Sequence, residues 1–113
     1  MNNQINPEMQ EKLAEYQEAQ QKARMLLSQK QQFQVSKKEA ENALNELKKR
    51  DKAEVHKSVG SILIKTSKKD VENELSEKIE SLEVRLKSIS EKEKKMTNEI
   101  KSLQDRLQGA FGA

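Results

Sequence analysis

Residues 54–66 decide the fold, and they read Glu54-Val55-His56-Lys57-Ser58-Val59-Gly60-Ser61-Ile62-Leu63-Ile64-Lys65-Thr66. β-Branched residues lie on both sides of one glycine, a composition that favours two short strands over a helix. Gly60 and Ser61 predict a two-residue type II′ turn, because glycine tolerates the positive φ at the first position of that turn. The hairpin then pairs Val59 with Ile62, and Leu63 lies on the opposite face from both.

A hairpin of two strands is marginal in water and leaves both of its outer edges unpaired. No other segment of this sequence has strand character. Hairpins from several subunits are therefore expected to combine into a closed or stacked sheet, which makes the chain an oligomer through its middle. The residues predicted at this interface are Val55, Val59, Gly60, Ile62, Leu63 and Ile64. The alternative for this segment is a short helical or irregular linker.

Long helices are predicted on both sides of the hairpin. The first covers about 7–50 and begins after Asn6, an N-cap residue followed by a proline, which suits the first helical position. The second covers about 68–108 and begins after Ser67, in a segment with capping-box-like spacing. Gly109 is expected to close it, since glycine commonly follows the last helical residue.

Both helical segments carry the heptad pattern of a coiled coil, in which seam residues recur at alternating steps of three and four. The seam of the first segment is Tyr16, Ala19, Ala23, Leu26, Lys30, Phe33, Lys37, Ala40, Leu44 and Leu47. The seam of the second segment is Glu72, Leu75, Ile79, Leu82, Leu86, Ile89, Glu93, Met96, Ile100, Leu103, Leu107 and Ala110.

The two seams match when the second segment runs antiparallel to the first. In this register Ala23 faces Met96, so that a small residue lies opposite a large one. The same register places Phe33 opposite Leu86. Lys30 in the seam is expected to lay its alkyl stem on apolar surface and extend its ammonium group to water. The predicted fold is mainly α, a single domain over 1–113 in which two long helices form an antiparallel coiled coil joined by one β-hairpin.

Composition argues against several classes of function. Hydrophobic residues make up 33% and charged residues 36% of the chain, with a net charge of +3. Charges of both signs are interspersed, so no one-signed surface for nucleic acid is expected. There is no cysteine, His56 is the lone histidine, and the three glycines build no phosphate loop. No enzyme activity, metal or cofactor is predicted.

Targeting signals are absent from the pattern of hydrophobic residues. No run of apolar residues exceeds three, which is far short of a membrane span or the core of a signal peptide. The sequence therefore predicts a soluble, cytoplasmic chain that has no membrane partner.

The ends of the two helices carry apolar residues that the seam does not fully explain. They are Ile5, Met9, Leu13, Leu103, Leu107 and Phe111. Some of these close the seam, whereas Ile5 and Phe111 are expected to lie outside the helix caps, where exposed apolar groups favour a contact surface. The alternative is that the helix ends fray and carry incidental hydrophobic residues.

Two stretches of the sequence resemble a known family. They are Val55-His56-Lys57-Ser58-Val59-Gly60-Ser61-Ile62-Leu63-Ile64-Lys65-Thr66 and Leu75-Ser76-Glu77-Lys78-Ile79-Glu80-Ser81-Leu82-Glu83-Val84-Arg85-Leu86. In these stretches the chain resembles a beta-class prefoldin subunit of the archaeal type. A single hairpin indicates the beta class, because alpha-class subunits have two.

The resemblance implies a hexamer of two alpha and four beta subunits, whose hairpins join into intersubunit β-barrels. It also implies a chaperone of the holdase type, which binds non-native polypeptides at the coiled-coil tips without ATP and delivers them to a group II chaperonin. The apolar residues at the helix ends are assigned the tip role by position. Two other hypotheses remain: a structural coiled-coil tether, and a helical hairpin that binds nucleic acid, which only the basic isoelectric point favours.

Overall fold

The structure is a computed structural model that describes residues 6–51 and 54–111. Its elements are helix α1 (Pro7–Lys48), strand β1 (Val55–Val59), strand β2 (Ile62–Thr66) and helix α2 (Lys68–Phe111). The predicted order of helix, hairpin and helix is confirmed.

Both helices begin at the predicted caps. The Met9 backbone N–H donates to Asn6 Oδ1 at 2.8 Å, and the Asp70 backbone N–H donates to Ser67 Oγ at 3.1 Å. Each side-chain oxygen thereby accepts from one of the N–H groups that the first turn of a helix leaves without an intrahelical partner. These caps explain why the helices begin where they do.

The end of α2 differs from the prediction, because the helix continues through Gly109 to Phe111 instead of closing at about residue 108. Among the described residues Gly60 alone has a positive φ, so Gly109 does not adopt the left-handed conformation of a helix cap. A single internal glycine costs a helix about 1 kcal/mol, and a helix of 44 residues tolerates this. Phe111 is therefore part of α2, not a residue beyond its cap.

The hairpin has the predicted register. β1 and β2 are antiparallel, with Val59 opposite Ile62, Lys57 opposite Ile64 and Val55 opposite Thr66. Gly60 has φ of 59°, and no described non-glycine residue has a positive φ. A positive φ at the first turn position alone is the signature of the type II′ turn that the sequence predicts.

The contacts divide the chain into two compact units, which are described separately. The hairpin unit is Gln31–Lys87, and the end unit comprises the described residues up to Lys30 together with those from Ser88 onwards. In the hairpin unit, Ala40 and Leu82 are buried at the seam. The Arg85 guanidinium lies 5.7 Å from the centre of the Phe33 ring, and Lys37 Nζ lies 3.6 Å from Glu83 Oε1.

The end unit has its own buried seam, formed by Ala19, Ile89, Leu103 and Leu107. Across it, the Tyr16 hydroxyl oxygen accepts a hydrogen bond from Gln104 Nε2 at 3.0 Å. In each unit the number of the α1 residue rises as that of its α2 partner falls, so the helices are antiparallel. Every buried residue in the part of the chain that the structure describes belongs to the predicted seams.

The Lys30 ammonium group was expected to extend to water, but it also pairs with a carboxylate. Its Nζ lies 3.1 Å from Glu93 Oε1, and both side chains are about two-thirds or more buried. Because Glu93 is itself a seam residue, the two polar interruptions of the heptad pattern neutralise each other in the end unit.

Candidate functional site

The hairpin presents apolar side chains to solvent on both of its faces. Val59 and Ile64 are 46% exposed, Ile62 is 58% exposed and Leu63 is 71% exposed. The strand register puts Val59, Ile62 and Ile64 on one face and Leu63 on the other. Val59, Ile62 and Ile64 therefore form an exposed apolar patch on one face, and Leu63 adds an exposed apolar group on the other, which is typical of an interface.

The edges of the hairpin are open as well. In the part of the chain that the structure describes, the sheet has two strands, so the outer edges of β1 and β2 carry backbone groups without a strand partner. Such edges template pairing with further strands. The predicted interface residues therefore lie together on one small sheet that is suited to extension.

One ion pair connects the hairpin with the start of α2, since Lys57 Nζ lies 3.0 Å from Glu74 Oε1. A second pair lies within α2 itself, where Lys68 Nζ is 3.8 Å from Glu72 Oε1. The Lys57 and Glu74 side chains are about half exposed, so their pair contributes little to stability.

A groove of about 310 Å³ lies beside the hairpin in the same unit, and its apolar lining includes Leu47, Val55, Val71 and Leu75. Val55, which was predicted at the interface, is half-buried at this groove, unlike the more exposed Val59. Most of the Val55 side chain is therefore covered by its own chain and not by solvent.

The residues predicted at the tip do not share one environment. Met9 and Leu13 are half-buried in the first turns of α1, whereas Leu103 and Leu107 are buried, with 4% and 9% exposure. Ile5 lies outside the described residues, and the backbone of Phe111 forms the last residue of α2. Leu103 and Leu107 are seam residues of the end unit and do not present a free apolar surface.

Several exposed apolar residues lie outside the seams and were not singled out from the sequence. They are Met25, Leu27, Val35 and Val84, each 47–69% exposed. The signal that could have identified them is an apolar residue at a heptad position that should face water. Met25 is the one that lies in a groove of the end unit.

The described residues contain no cluster of His, Cys, Asp and Glu side chains that could hold a metal ion. In the same ranges, neither helix has a stretch that is long and apolar enough to span a membrane.

Taken together, these features define a class of protein: a coiled-coil helical hairpin whose two helices are joined by a β-hairpin open to further strands. A family model described as "Prefoldin subunit" matches residues 10–113. The chain belongs to the prefoldin subunit family, and the predicted assignment to the prefoldin chaperones is confirmed.

Relatives within the family are beta subunits. The chain is 39% identical to the prefoldin subunit beta of Methanosarcina acetivorans, over 99% of this chain and 97% of that protein. It is 40% identical to the one of Methanococcoides burtonii, with the same two shares covered. The crystal structure of the prefoldin beta subunit from Thermococcus strain KS-1 matches with a TM-score of 0.84 and 38% identity, over 96% of each chain. The predicted beta class is confirmed.

Proposed function

We propose that the chain is the beta subunit of an ATP-independent holdase, which binds unfolded polypeptides and delivers them to a group II chaperonin in the cytoplasm. The observation that carries this proposal is the match to prefoldin beta subunits over nearly the full length of the chain. The function therefore has to be performed by the elements that these proteins share, namely the hairpin and the paired helices.

Assembly is assigned to the hairpin. Val59, Ile62, Leu63 and Ile64 are exposed, and pairing with hairpins of an alpha-class subunit and of other beta copies would bury them and satisfy the strand edges. We infer a hexamer of two alpha and four beta subunits, in which the hairpins form β-barrels. Covering apolar groups and open edges at once gives each hairpin two separate gains on assembly.

Client binding is assigned to the helix ends. Met9 and Leu13 are half-buried and offer part of an apolar surface, while Leu103 and Leu107 are buried in the seam of the same unit. Ile5 and Phe111 belong to the proposed tip by their place in the sequence. A surface this small binds weakly, but several tips in one assembly act on the same client, so effective concentration raises the overall affinity.

Release needs no nucleotide in this scheme. A weak contact at each tip dissociates quickly, so a competing binder such as the chaperonin can take over the client one segment at a time.

The proposal is tested by diluting a chemically unfolded, aggregation-prone protein into buffer that contains the chain with an alpha-class partner, and following light scattering. The assembly should lower scattering in the absence of ATP, and the double variant M9S/L13S should lower it less. V35S is a matched control, because Val35 is an exposed apolar residue of α1 outside the tip. If the wild-type assembly leaves scattering unchanged, the chaperone proposal fails, and a structural tether becomes the better description.

A further inference from the structure

The end unit contains a second apolar surface on the side of the coiled coil. Its groove, named here the methionine groove, has a volume of about 420 Å³ and a floor made by Met25, Leu26 and Met96. Met25 lies 16 residues along α1 from Met9, or about 24 Å at 1.5 Å per residue. The methionine groove is therefore separate from Met9, the tip residue at the start of α1.

The seam residues of the groove remain partly exposed. Leu26 and Met96 occupy seam positions but are only half-buried, as are Ile100 and several other seam residues. Ala23, the seam residue predicted to face Met96, offers it only a methyl group. Met25 adds an apolar side chain that is 58% exposed next to this gap.

Methionine suits a site that accepts varied side chains. Its unbranched, flexible thioether adapts its shape to different apolar partners, which is why methionine is frequent on surfaces that bind many partners. With two methionines among its three floor residues, the groove has the chemistry to accept apolar side chains without selecting one shape.

The rim of the groove is mostly basic. Lys22, Lys92 and Lys95 line it, against Glu99 as the single acidic side chain. Lys22 already has an acidic partner, since its Nζ lies 3.5 Å from Glu18 Oε1. Among the described residues, Lys92 and Lys95 take part in no salt bridge. Their charges are available to a ligand, and the charge that complements them is negative.

We propose that the methionine groove binds segments of non-native polypeptides in which apolar side chains are flanked by acidic residues. The inference rests on the proposed function, which supplies non-native chains as ligands, and it adds a preference in sequence to that function. Apolar side chains occupy the floor, while neighbouring carboxylates approach Lys92 and Lys95. Acidic segments are then retained along the coil in addition to the contacts at the tip.

The test is a fluorescence anisotropy titration of the full chain, assembled with its alpha-class partner. The probe is a short labelled peptide in which two leucines are flanked by glutamates. A matched peptide carries lysines in place of the glutamates. The acidic peptide should bind more tightly by about tenfold or more, since two charge contacts change from attraction to repulsion.

Two variants examine the floor and the rim separately. M25S should weaken binding of the acidic peptide about fivefold, and K92Q/K95Q should weaken it about tenfold and reduce its salt dependence. V84S and K78Q are the controls. V84S places serine at an exposed apolar residue of the hairpin unit, as M25S does in the groove, and K78Q places glutamine at an exposed lysine of that unit. Circular dichroism verifies that all variants retain their helix content.

Any of three binding results would overturn the inference. These are equal binding of both peptides, binding of the acidic peptide to K92Q/K95Q as tight as to the wild type, and loss of its binding in the tip variant M9S/L13S. A change of assembly mass in M25S would also overturn it, since a second copy would then occupy the groove. The scattering assay reports on the proposed function independently. An assembly that suppresses aggregation while its groove variants bind the peptide normally is still a chaperone, but without this site.

Discussion

The hairpin offers the sharpest perturbation of assembly, the substitution I62D. Ile62 keeps 58% of its surface exposed in the single chain, so burying that remainder in an intersubunit sheet is worth about 1–1.5 kcal/mol. A carboxylate placed there instead loses this gain and must be desolvated without a partner, which costs about 3 kcal/mol or more. Together these terms weaken each hairpin contact by about 4 kcal/mol, or about a thousandfold in dissociation constant.

The same substitution should disturb the single chain much less. Ile62 lies beside a turn whose conformation is fixed by Gly60, and less than half of its surface is buried there. Aspartate is a poor strand residue, with a cost of about 1 kcal/mol, and this cost falls on the hairpin alone. Helices α1 and α2 should therefore remain formed.

The assay is sedimentation velocity of the chain with its alpha-class partner, combined with far-ultraviolet circular dichroism. I62D should sediment as dissociated subunits with unchanged helix content. V84D is the matched control, because Val84 is 69% exposed on α2 and lies outside the hairpin. An I62D assembly of wild-type mass and stability would refute the assignment of the hairpin to assembly.

Three further predictions concern the stability of the single chain, measured by thermal and urea denaturation. L82A should cost about 2–4 kcal/mol, because Leu82 is 6% exposed in the seam; a loss below 1 kcal/mol would show that the helices do not pack there. G60A should cost about 1–2 kcal/mol through φ alone, since a Cβ at Gly60 would meet no atom within 4 Å; an unchanged midpoint contradicts the turn. K30M should destabilise by leaving Glu93 without its partner at 3.1 Å, and K30M/E93L should regain that loss; equal stability of the two variants contradicts the pairing.

Much of the fold could be predicted because its determinants are local. Gly60 is the residue that accepts a positive φ between two β-branched runs, and that requirement sets the turn and the register together. Asn6 and Ser67 cap their helices through side chains only three residues away from the N–H groups they accept from. Local signals of this kind do not depend on the rest of the chain.

The end of α2 was less predictable, because Gly109 is compatible with two outcomes. Glycine either ends a helix in the left-handed conformation or continues it at a small cost. The choice depends on the energy of the following turn, and no pattern in the sequence reports that energy. Phe111 was consequently expected outside α2, whereas the helix includes it.

The candidate sites also differ in how far they could be predicted from the sequence. The exposed hairpin followed from alternation and an open edge, both visible in the sequence. The methionine groove did not, because the heptad pattern assigns Leu26 and Met96 to the core equally with Leu103. Their partial exposure depends on how side chains pack across the seam, which is a property of three dimensions. The pairing of Lys30 with Glu93 was not predicted, because the sequence argument placed the Lys30 ammonium group in water and considered no charged partner for it.

Two hydrogen bonds between residues that are distant in the sequence imply an order of folding. Lys57 meets Glu74 across 17 residues of sequence, whereas Tyr16 meets Gln104 across 88. Closing the longer loop first costs about 1.5 kcal/mol more chain entropy than closing the shorter one. We therefore expect the helix pair to form from the hairpin outward, with the contact between Tyr16 and Gln104 forming last and breaking first. Hydrogen exchange that is equally slow around Gln104 and Glu74 would contradict this order. A subunit that folds in this order can open in the end unit, where we propose that clients bind, while the hairpin that we propose for assembly stays folded.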